Sequence, residues 1–316
     1  MKSSCSLSYR LNRSPFKLAT RLASGLAAFT LSLGIALPTL AADPFRPDSS
    51  THNIGEYTEG AFEAIFKEGN YDKAEDLLAL ADQNEADEPL VHAMLASMAY
   101  LRGDEGLPEV ASRAALTKEK AQALIVTDPL RGHLYTAVGI FLEGAHMLKT
   151  QGVARGTPRA LGMLQQVFSS LDAAESINPE DPELNLLKGY MDLMLSVNLP
   201  FSNPEAAITA MSEHGSPVYL TQRGIALGYR DLDQYADALS AVNRAIAAAP
   251  QNPELFYLKA QILRSQGAKA DSLVQFEQAL NYAEQLPPRL VNRITWEQCA
   301  TEAAVPIEEC SRRVGY

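Results

Sequence analysis

A 34-residue spacing near the carboxyl end of the chain is the feature that most constrains its fold. Four small or apolar residues are each followed by a matching residue 34 positions later. The pairs are Ala226 with Ala260, Ala238 with Ser272, Val242 with Phe276, and Ala245 with Ala279. Residues 235, 238, 242 and 245 also share one helix face, because they are three or four positions apart. A helical repeat of this length predicts stacked helix pairs, since a single pair cannot bury its apolar stripe.

Proline-containing turns indicate where the helix pairs begin. Pro179-Glu-Asp-Pro182 matches Pro250-Gln-Asn-Pro253, and each places Asp181 or Asn252 at the N-cap with proline in the first helical position. The sequence has no convincing alternation of apolar and polar residues that would indicate strands. We therefore predict an all-α protein with a repeat domain at 55–284, degenerate within 88–214. Its six helix pairs are predicted at 55–84, 88–127, 130–178, 182–214, 217–249 and 252–284.

The segments on either side of the repeat domain differ from it in composition. Residues 43–54 are rich in proline, serine and aspartate and are predicted to be a flexible leader. Two adjacent prolines end the helical pattern, and residues 285–316 are predicted to form a short helical cap over the last pair. Cys299 and Cys310 lie close together in this cap, which favours a disulfide in an oxidising compartment.

Residues 1–42 are predicted to be a signal peptide. Five basic residues and no acidic residue precede an apolar stretch, Leu22 to Leu37. The small residues Ala41 and Ala42, followed by Asp43, suit cleavage after either alanine. The apolar stretch has about 16 residues, fewer than the roughly 20 that cross a bilayer, which favours cleavage over a retained anchor. Membrane association is expected only if the segment is retained.

The charge of the predicted mature chain argues against nucleic acid as a partner. The 316 residues include 27 basic and 38 acidic side chains. Without the five basic residues of the signal region, the net charge changes from −11 to near −16, which repels phosphates. The sequence has no phosphate-binding glycine loop, and its five histidines lack the H-E-x-x-H spacing of zinc proteases. We predict a non-enzymatic protein with no catalytic residue, metal or cofactor.

The repeat signature resembles that of the tetratricopeptide repeat (TPR) superfamily. The matching residues are Ala226, Tyr235, Ala238, Val242, Ala245, Pro250, Ala260, Phe276 and Ala279. Gln222 and Phe256 stand where the signature has tryptophan. With its leader and cysteine-bearing tail, the chain resembles a family of exported TPR-repeat proteins from cyanobacteria. The resemblance implies a solenoid of helical hairpins located in the periplasm or thylakoid lumen.

The resemblance also implies a groove that is lined by the first helix of each pair and binds a protein or peptide. The groove residues carried over from the family are Leu220, Arg223, Leu227, Arg230, Glu254, Tyr257, Gln261 and Arg264. The three arginines suit the carboxylates of an acidic or C-terminal peptide. The alternative is that they are surface arginines paired with Asp231, Asp233 or Glu254.

We therefore expect an exported scaffold or adaptor that takes part in assembly of an envelope or photosynthetic complex. The first alternative is an enzyme or enzyme subunit that acts on cell-wall or lumenal substrates, with a polar pocket near residues 130–205. The second alternative is a structural spacer or homo-oligomer.

Overall fold

A computed structural model describes residues 43–46, 52, 54–196, 203–302 and 306–315. These residues belong to one compact unit that spans Leu40–Tyr316. All the regular secondary structure in the described residues is helical, which confirms the all-α prediction. The predicted signal peptide lies outside the described residues. Among the helices that are described, none has the length and apolar character needed to cross a membrane.

Fourteen α-helices are formed by the described residues. They are α1 Glu56–Glu63, α2 Tyr71–Asn84, α3 Pro89–Leu101, α4 Leu107–Leu124, α5 Pro129–Gln151, α6 Val153–Glu175, α7 Pro182–Ser196, α8 Pro204–His214, α9 Val218–Asp231, α10 Tyr235–Ala248, α11 Pro253–Ser265, α12 Lys269–Leu280, α13 Pro288–Thr301 and α14 Ile307–Val314. A π-helical turn, Ala64–Glu68, continues α1, and 3₁₀ turns lie at Gly103–Gly106 and Ala283–Gln285.

Side-chain caps explain why several helices begin at proline. Asn252 accepts a hydrogen bond from the backbone N–H of Glu254 at 2.9 Å, and Asp181 accepts one from Leu184 at 3.0 Å. These caps satisfy backbone donors that have no partner within the helix, while proline in the first position has no N–H to satisfy. The turn sequences therefore act as the sequence pattern predicts.

Neighbouring helices pack closely along the chain. The most extensive contacts join α3 to α4, α4 to α5, α5 to α6, α9 to α10 and α11 to α12. The predicted stripe residues Ala238, Val242, Ala245, Ala260, Phe276 and Ala279 are fully buried between these helices. A Cβ atom at Gly189 of α7 would overlap the side chain of Met211 in α8, so this pair needs glycine to pack.

The first helix pair contacts the last pairs as well as its neighbour. The Asn252 amide donates to the carbonyl of Phe66 at 2.9 Å, and the Tyr71 hydroxyl donates to Glu254 at 2.6 Å. Gly69 has φ +66°, and a Cβ atom there would lie 2.6 Å from Pro253, so glycine is required both by the turn and by the close approach. A stack in which each pair touches only its neighbours does not contain these contacts.

The carboxyl-terminal residues pack on the sixth pair through α13. This helix contacts α12 and α14, and Ile294 is fully buried. Cys299 in α13 and Cys310 in α14 form the predicted disulfide. The Trp296 indole N–H also donates to the Ser311 hydroxyl at 3.2 Å, so the disulfide and this hydrogen bond both join α14 to α13.

Candidate functional site

Polar side chains connect the first helices of successive pairs. We call this chain of contacts the first-helix ladder, and it runs from the start of α3 through α5, α7, α9 and α11 to α13. Its links are Glu88–Arg131, Arg131–Glu183, Tyr190–Leu220, Arg223–Glu254, Arg230–Gln261 and Tyr257–Glu297. The ladder is the candidate site, because it contains the positions that the sequence predicts for a partner-binding groove.

The amino-terminal part of the ladder is a buried ion-pair network. Arg131 is 2% exposed and donates two hydrogen bonds to Glu88, at 2.8 and 2.9 Å. Its Nε also donates to Glu183 at 3.0 Å, and the Tyr135 hydroxyl donates to the same carboxylate at 2.6 Å. Glu183 is 0% exposed. Buried charges of this kind are tolerated only where they are paired and hydrogen-bonded, as these are.

Residues 43–46 lie against this network. Both oxygens of Asp181 accept from Arg46, with Nε at 2.8 Å and Nη2 at 2.6 Å. Nη1 of Arg46 donates to Glu183 at 3.0 Å and to Asp43 at 2.8 Å. The guanidinium is thus shared by three carboxylates, two of which belong to the start of α7.

The same short segment buries an aromatic ring. Phe45 is 2% exposed and packs edge-to-face on Phe62, with 4.9 Å between ring centroids. Phe62 in turn packs on Phe66 at 4.8 Å. The segment is turned rather than extended, because the Asp43 side chain accepts from the Phe45 N–H at 2.9 Å. These contacts contrast with the flexible leader that the composition of residues 43–54 predicts.

Opposing charges control the titration of this network. Burial raises the pKa of Glu183, but the facing Arg131 and Arg46 outweigh burial and hold the pKa below its usual value. Burial alone would lower the pKa of Arg131, but Glu183 and Glu88 outweigh it and raise the pKa further above neutrality. The network therefore stays charged at neutral pH.

The predicted groove residues of α9 divide into buried and half-buried positions. Leu220 is buried, while Leu227 is half-buried and packs against the core. Arg223 donates to Glu254 at 2.7 Å, and Glu254 also accepts from the Tyr71 hydroxyl of the first pair. Arg230 donates to Asp231 at 2.8 Å and to Gln261 at 2.9 Å. Arg223 and Arg230 are therefore paired with nearby acidic residues, as the alternative interpretation of the sequence expects.

The predicted groove residues of α11 converge on α13. Glu297 is 4% exposed and accepts from the Tyr257 hydroxyl at 2.8 Å and from the Gln261 amide at 3.1 Å. Arg293 donates to it at 2.6 Å, and Arg264 lies 3.8 Å away. Two of the predicted groove arginines keep exposed side-chain surface, 37% for Arg264 on α11 and 25% for Arg230 on α9.

Among the clefts in the described part of the chain, two lie between neighbouring helices. The larger, 690 Å³, is bounded by α2, α3, α4 and the start of α13, with Leu95, Met98 and Leu101 among its apolar lining residues. The smaller, 420 Å³, lies among α6, α7 and α8 in the region proposed for an enzymatic pocket. Its ionisable lining residues are Lys188 and Asp192. Lys188 is already paired with Glu175 at 2.8 Å, and burial raises the pKa of Asp192.

The sequence did not single out the residues that form the buried network. Asp181 and Glu183 fit the first turn of a helix, where an N-cap and an acidic residue need no other explanation. Arg46 is 135 positions from Asp181 and lies in a segment with no helical periodicity. The sequence feature that could have identified Arg46 is its position beside an aromatic residue in a leader whose other charged residues are acidic.

The comparisons with known proteins found no relative from which a function could be inferred. No family model, curated protein or solved structure matches it. Within the part of the chain that the structure describes, no group of three or more His, Cys, Asp or Glu side chains is arranged to hold a metal ion.

Proposed function

We propose that this protein is an exported, non-enzymatic TPR-like scaffold whose first-helix ladder binds a protein or peptide partner. The observation that carries the proposal is the seating of residues 43–46. The start of α7 and the first helix α1 already hold a short peptide segment there, through a shared arginine and a buried phenylalanine. Such a surface has the chemistry of a peptide receptor, with charged groups that orient the ligand and an apolar position that anchors it.

The repeat pattern supports the TPR-like interpretation. The signature positions at 226, 238, 242, 245, 260, 276 and 279 are all fully buried, as close packing between consecutive helices requires. In such repeats the first helices form the binding side. The periplasm or thylakoid lumen, and a role in assembling an envelope or photosynthetic complex, follow from the predicted signal peptide and the family resemblance.

We place the partner contact on the carboxyl-terminal half of the ladder, at Arg230 and Arg264. These side chains keep exposed surface and lie on neighbouring first helices, α9 and α11. An acidic or C-terminal peptide suits them, because a guanidinium binds a carboxylate through two parallel hydrogen bonds. Arg223 is not included, because its partner Glu254 is only 13% exposed and also accepts from Tyr71. The carboxylate that pairs with Arg230, Asp231, is 36% exposed and open to competition.

The test is crosslinking and pull-down from the native compartment with three forms of the chain. These are the unchanged protein, the double variant Arg230→Glu/Arg264→Glu, and Arg244→Glu as a matched control on the second helix α10. We expect a reproducible partner with the unchanged and control forms and its loss with the double variant. Circular dichroism checks that all three are folded. Equal recovery by the double variant, or no reproducible partner with any form, contradicts the proposal.

A further inference from the structure

The residues that surround Arg46 are held in place by contacts that do not involve Arg46. We call Glu88, Arg131, Asp181 and Glu183 the arginine clamp. Arg131 is fixed by its paired hydrogen bonds to Glu88, and Glu183 is fixed by Arg131 and the Tyr135 hydroxyl. Asp181 is fixed as the N-cap of α7. A site organised in advance loses little entropy when its ligand arrives.

The clamp has an unbalanced charge without residues 43–46. Without Arg46 its three carboxylates face one guanidinium, which leaves a net charge of −2; Asp43, the third carboxylate on Arg46, belongs to the segment itself. With residues 43–46 in place, the two clamp carboxylates that contact Arg46 are shielded from water, because Glu183 is 0% and Asp181 is 3% exposed. Buried, partly unpaired carboxylates attract a cation strongly, since water no longer screens them. The clamp therefore requires a positive ligand group.

The geometry selects a guanidinium over an ammonium. Arg46 uses Nε and Nη2 for the two oxygens of Asp181 and Nη1 for Glu183. This planar fork matches carboxylates in a way that the point charge of lysine does not. The ring of Phe62, which itself packs on Phe66, then provides a surface for an aromatic residue directly before the arginine.

The resident segment is short compared with the helices that hold it. Residues 43–46 contain one turn and no helix, whereas the clamp belongs to the packed starts of α3, α5 and α7. Short segments at the ends of a fold open at much lower free energy than its core helices. Because the clamp residues are held by contacts of their own, we infer that this segment can leave without unfolding the clamp.

We propose that the arginine clamp is an exchangeable binding site for segments with a Phe-Arg pair, occupied in cis by Asp43–Arg46 and available to the same pair in a partner protein. The proposal deepens the proposed function by naming the ligand class of the amino-terminal half of the ladder. The resident segment then acts as a tethered competitor that sets how tightly a partner must bind.

The test measures binding of a fluorescent peptide, Asp-Pro-Phe-Arg, to the purified full chain by anisotropy. In the variant Phe45→Ala/Arg46→Ala the clamp is vacated, and we expect at least tenfold tighter peptide binding than in the unchanged chain. A peptide ending in Phe-Lys should bind at least tenfold more weakly. Adding Asp181→Asn to the vacated variant should abolish binding, although asparagine preserves the N-cap.

Several outcomes would overturn the proposal. A folded, vacated variant that binds the peptide no better than the unchanged chain shows that residues 43–46 are only structural. If the vacated variant does not fold, Arg46→Lys replaces it, and equal peptide affinity in that variant and the unchanged chain is equally decisive. If the unchanged protein forms a dimer that Arg46→Ala abolishes, the occupant of the clamp is a second copy of this chain. That result overturns the proposal of a separate partner. The assay uses purified components and leaves Arg230 and Arg264 unchanged. Failure of this proposal can therefore be distinguished from failure of the proposed function.

Discussion

At the scale of single residues, Glu183 combines a negative charge with complete burial. Its carboxylate is fully buried and accepts from Arg131, Arg46 and Tyr135. Removing one partner of a buried ion pair is costly, because the remaining charges lose their compensation in a poorly solvated place. Three donors depend on this one carboxylate, so its charge rather than its volume should determine stability.

Glu183→Gln keeps the shape of the side chain and removes the charge. We expect a loss of about 3–5 kcal/mol in the free energy of unfolding, because Arg131 and Arg46 lose a buried partner. Urea unfolding followed by circular dichroism measures this change. The control is Glu180→Gln, an exposed position three residues earlier, which should stay within about 0.5 kcal/mol of the unchanged protein. Equal effects at the two positions would show that the network contributes no specific stability.

The same carboxylate predicts a pH dependence. The pKa of Glu183 is lowered in the folded protein, so its stabilising effect is present above the unfolded value, about 4.3. The effect is lost as the pH falls below that value and through the folded pKa, because the unfolded chain binds the proton first. The melting temperatures of the unchanged protein and Glu183→Gln should therefore differ more at pH 7 than at pH 3. A difference that is constant between these pH values would argue against this assignment.

Prediction from sequence was least informative at this scale. Ala238, Val242 and Phe276 could be assigned to the core, because burial on a helix follows a local period. The contacts of Arg46 with Asp181 and Glu183 span 135 and 137 positions, and no local pattern encodes such a pairing. The arginines at 223, 230 and 264 lie on the expected helices. The pairing of Arg264 with Glu297 and the bond from Tyr71 to Glu254 were not predicted.

At the scale of helices, Asn252 connects two elements through one side chain. Its oxygen caps α11, and its amide nitrogen donates to the carbonyl of Phe66 in the first pair. The sequence predicts the cap, because Asn-Pro-Glu is a typical start of a helix. It does not predict the second contact, since hydrophobic periodicity shows which face a helix buries and not which distant helix covers it.

Asn252→Ala and Asn203→Ala separate the two roles. Asn203 is exposed and also caps its helix, α8, through the side-chain oxygen, which accepts from the backbone N–H of Ala206 at 3.0 Å. We expect a loss of about 1 kcal/mol for Asn203→Ala from the cap alone. Asn252→Ala should cost about 2–3 kcal/mol, because the Phe66 carbonyl also loses its donor. Thermal and urea unfolding give both values.

Asn252→Asp is the sharper version of this comparison. Aspartate retains the capping oxygen but has no amide to donate to Phe66. Stability close to that of the unchanged protein would mean that the contact between the first and sixth pairs contributes little. We expect instead a loss of about 1–2 kcal/mol, smaller than that of Asn252→Ala because the cap is retained.

At the scale of the whole molecule, the disulfide controls how firmly the carboxyl-terminal cap is attached. Cys299 and Cys310 are 11 positions apart, and closing a loop of this size stabilises the folded state by about 3 kcal/mol in the chain-entropy model. Cys299→Ala/Cys310→Ala should therefore increase hydrogen exchange in residues 306–315, while α9 and α11 keep their protection. Ser311→Ala, which removes only the hydrogen bond to Trp296, is the control and should change exchange much less.

The contact between Phe66 and Asn252 also has a consequence for the timing of synthesis. The partner of this carbonyl is 186 positions further along the chain. At about 5–20 residues per second, a ribosome needs roughly 10–40 s to make that stretch. During this time the first hairpin lacks the helix that it contacts in the complete fold. Its apolar side is open to chaperones and proteases during this interval. Shortening the delay, for example by a circular permutation that places the first hairpin after residue 316, should reduce that exposure.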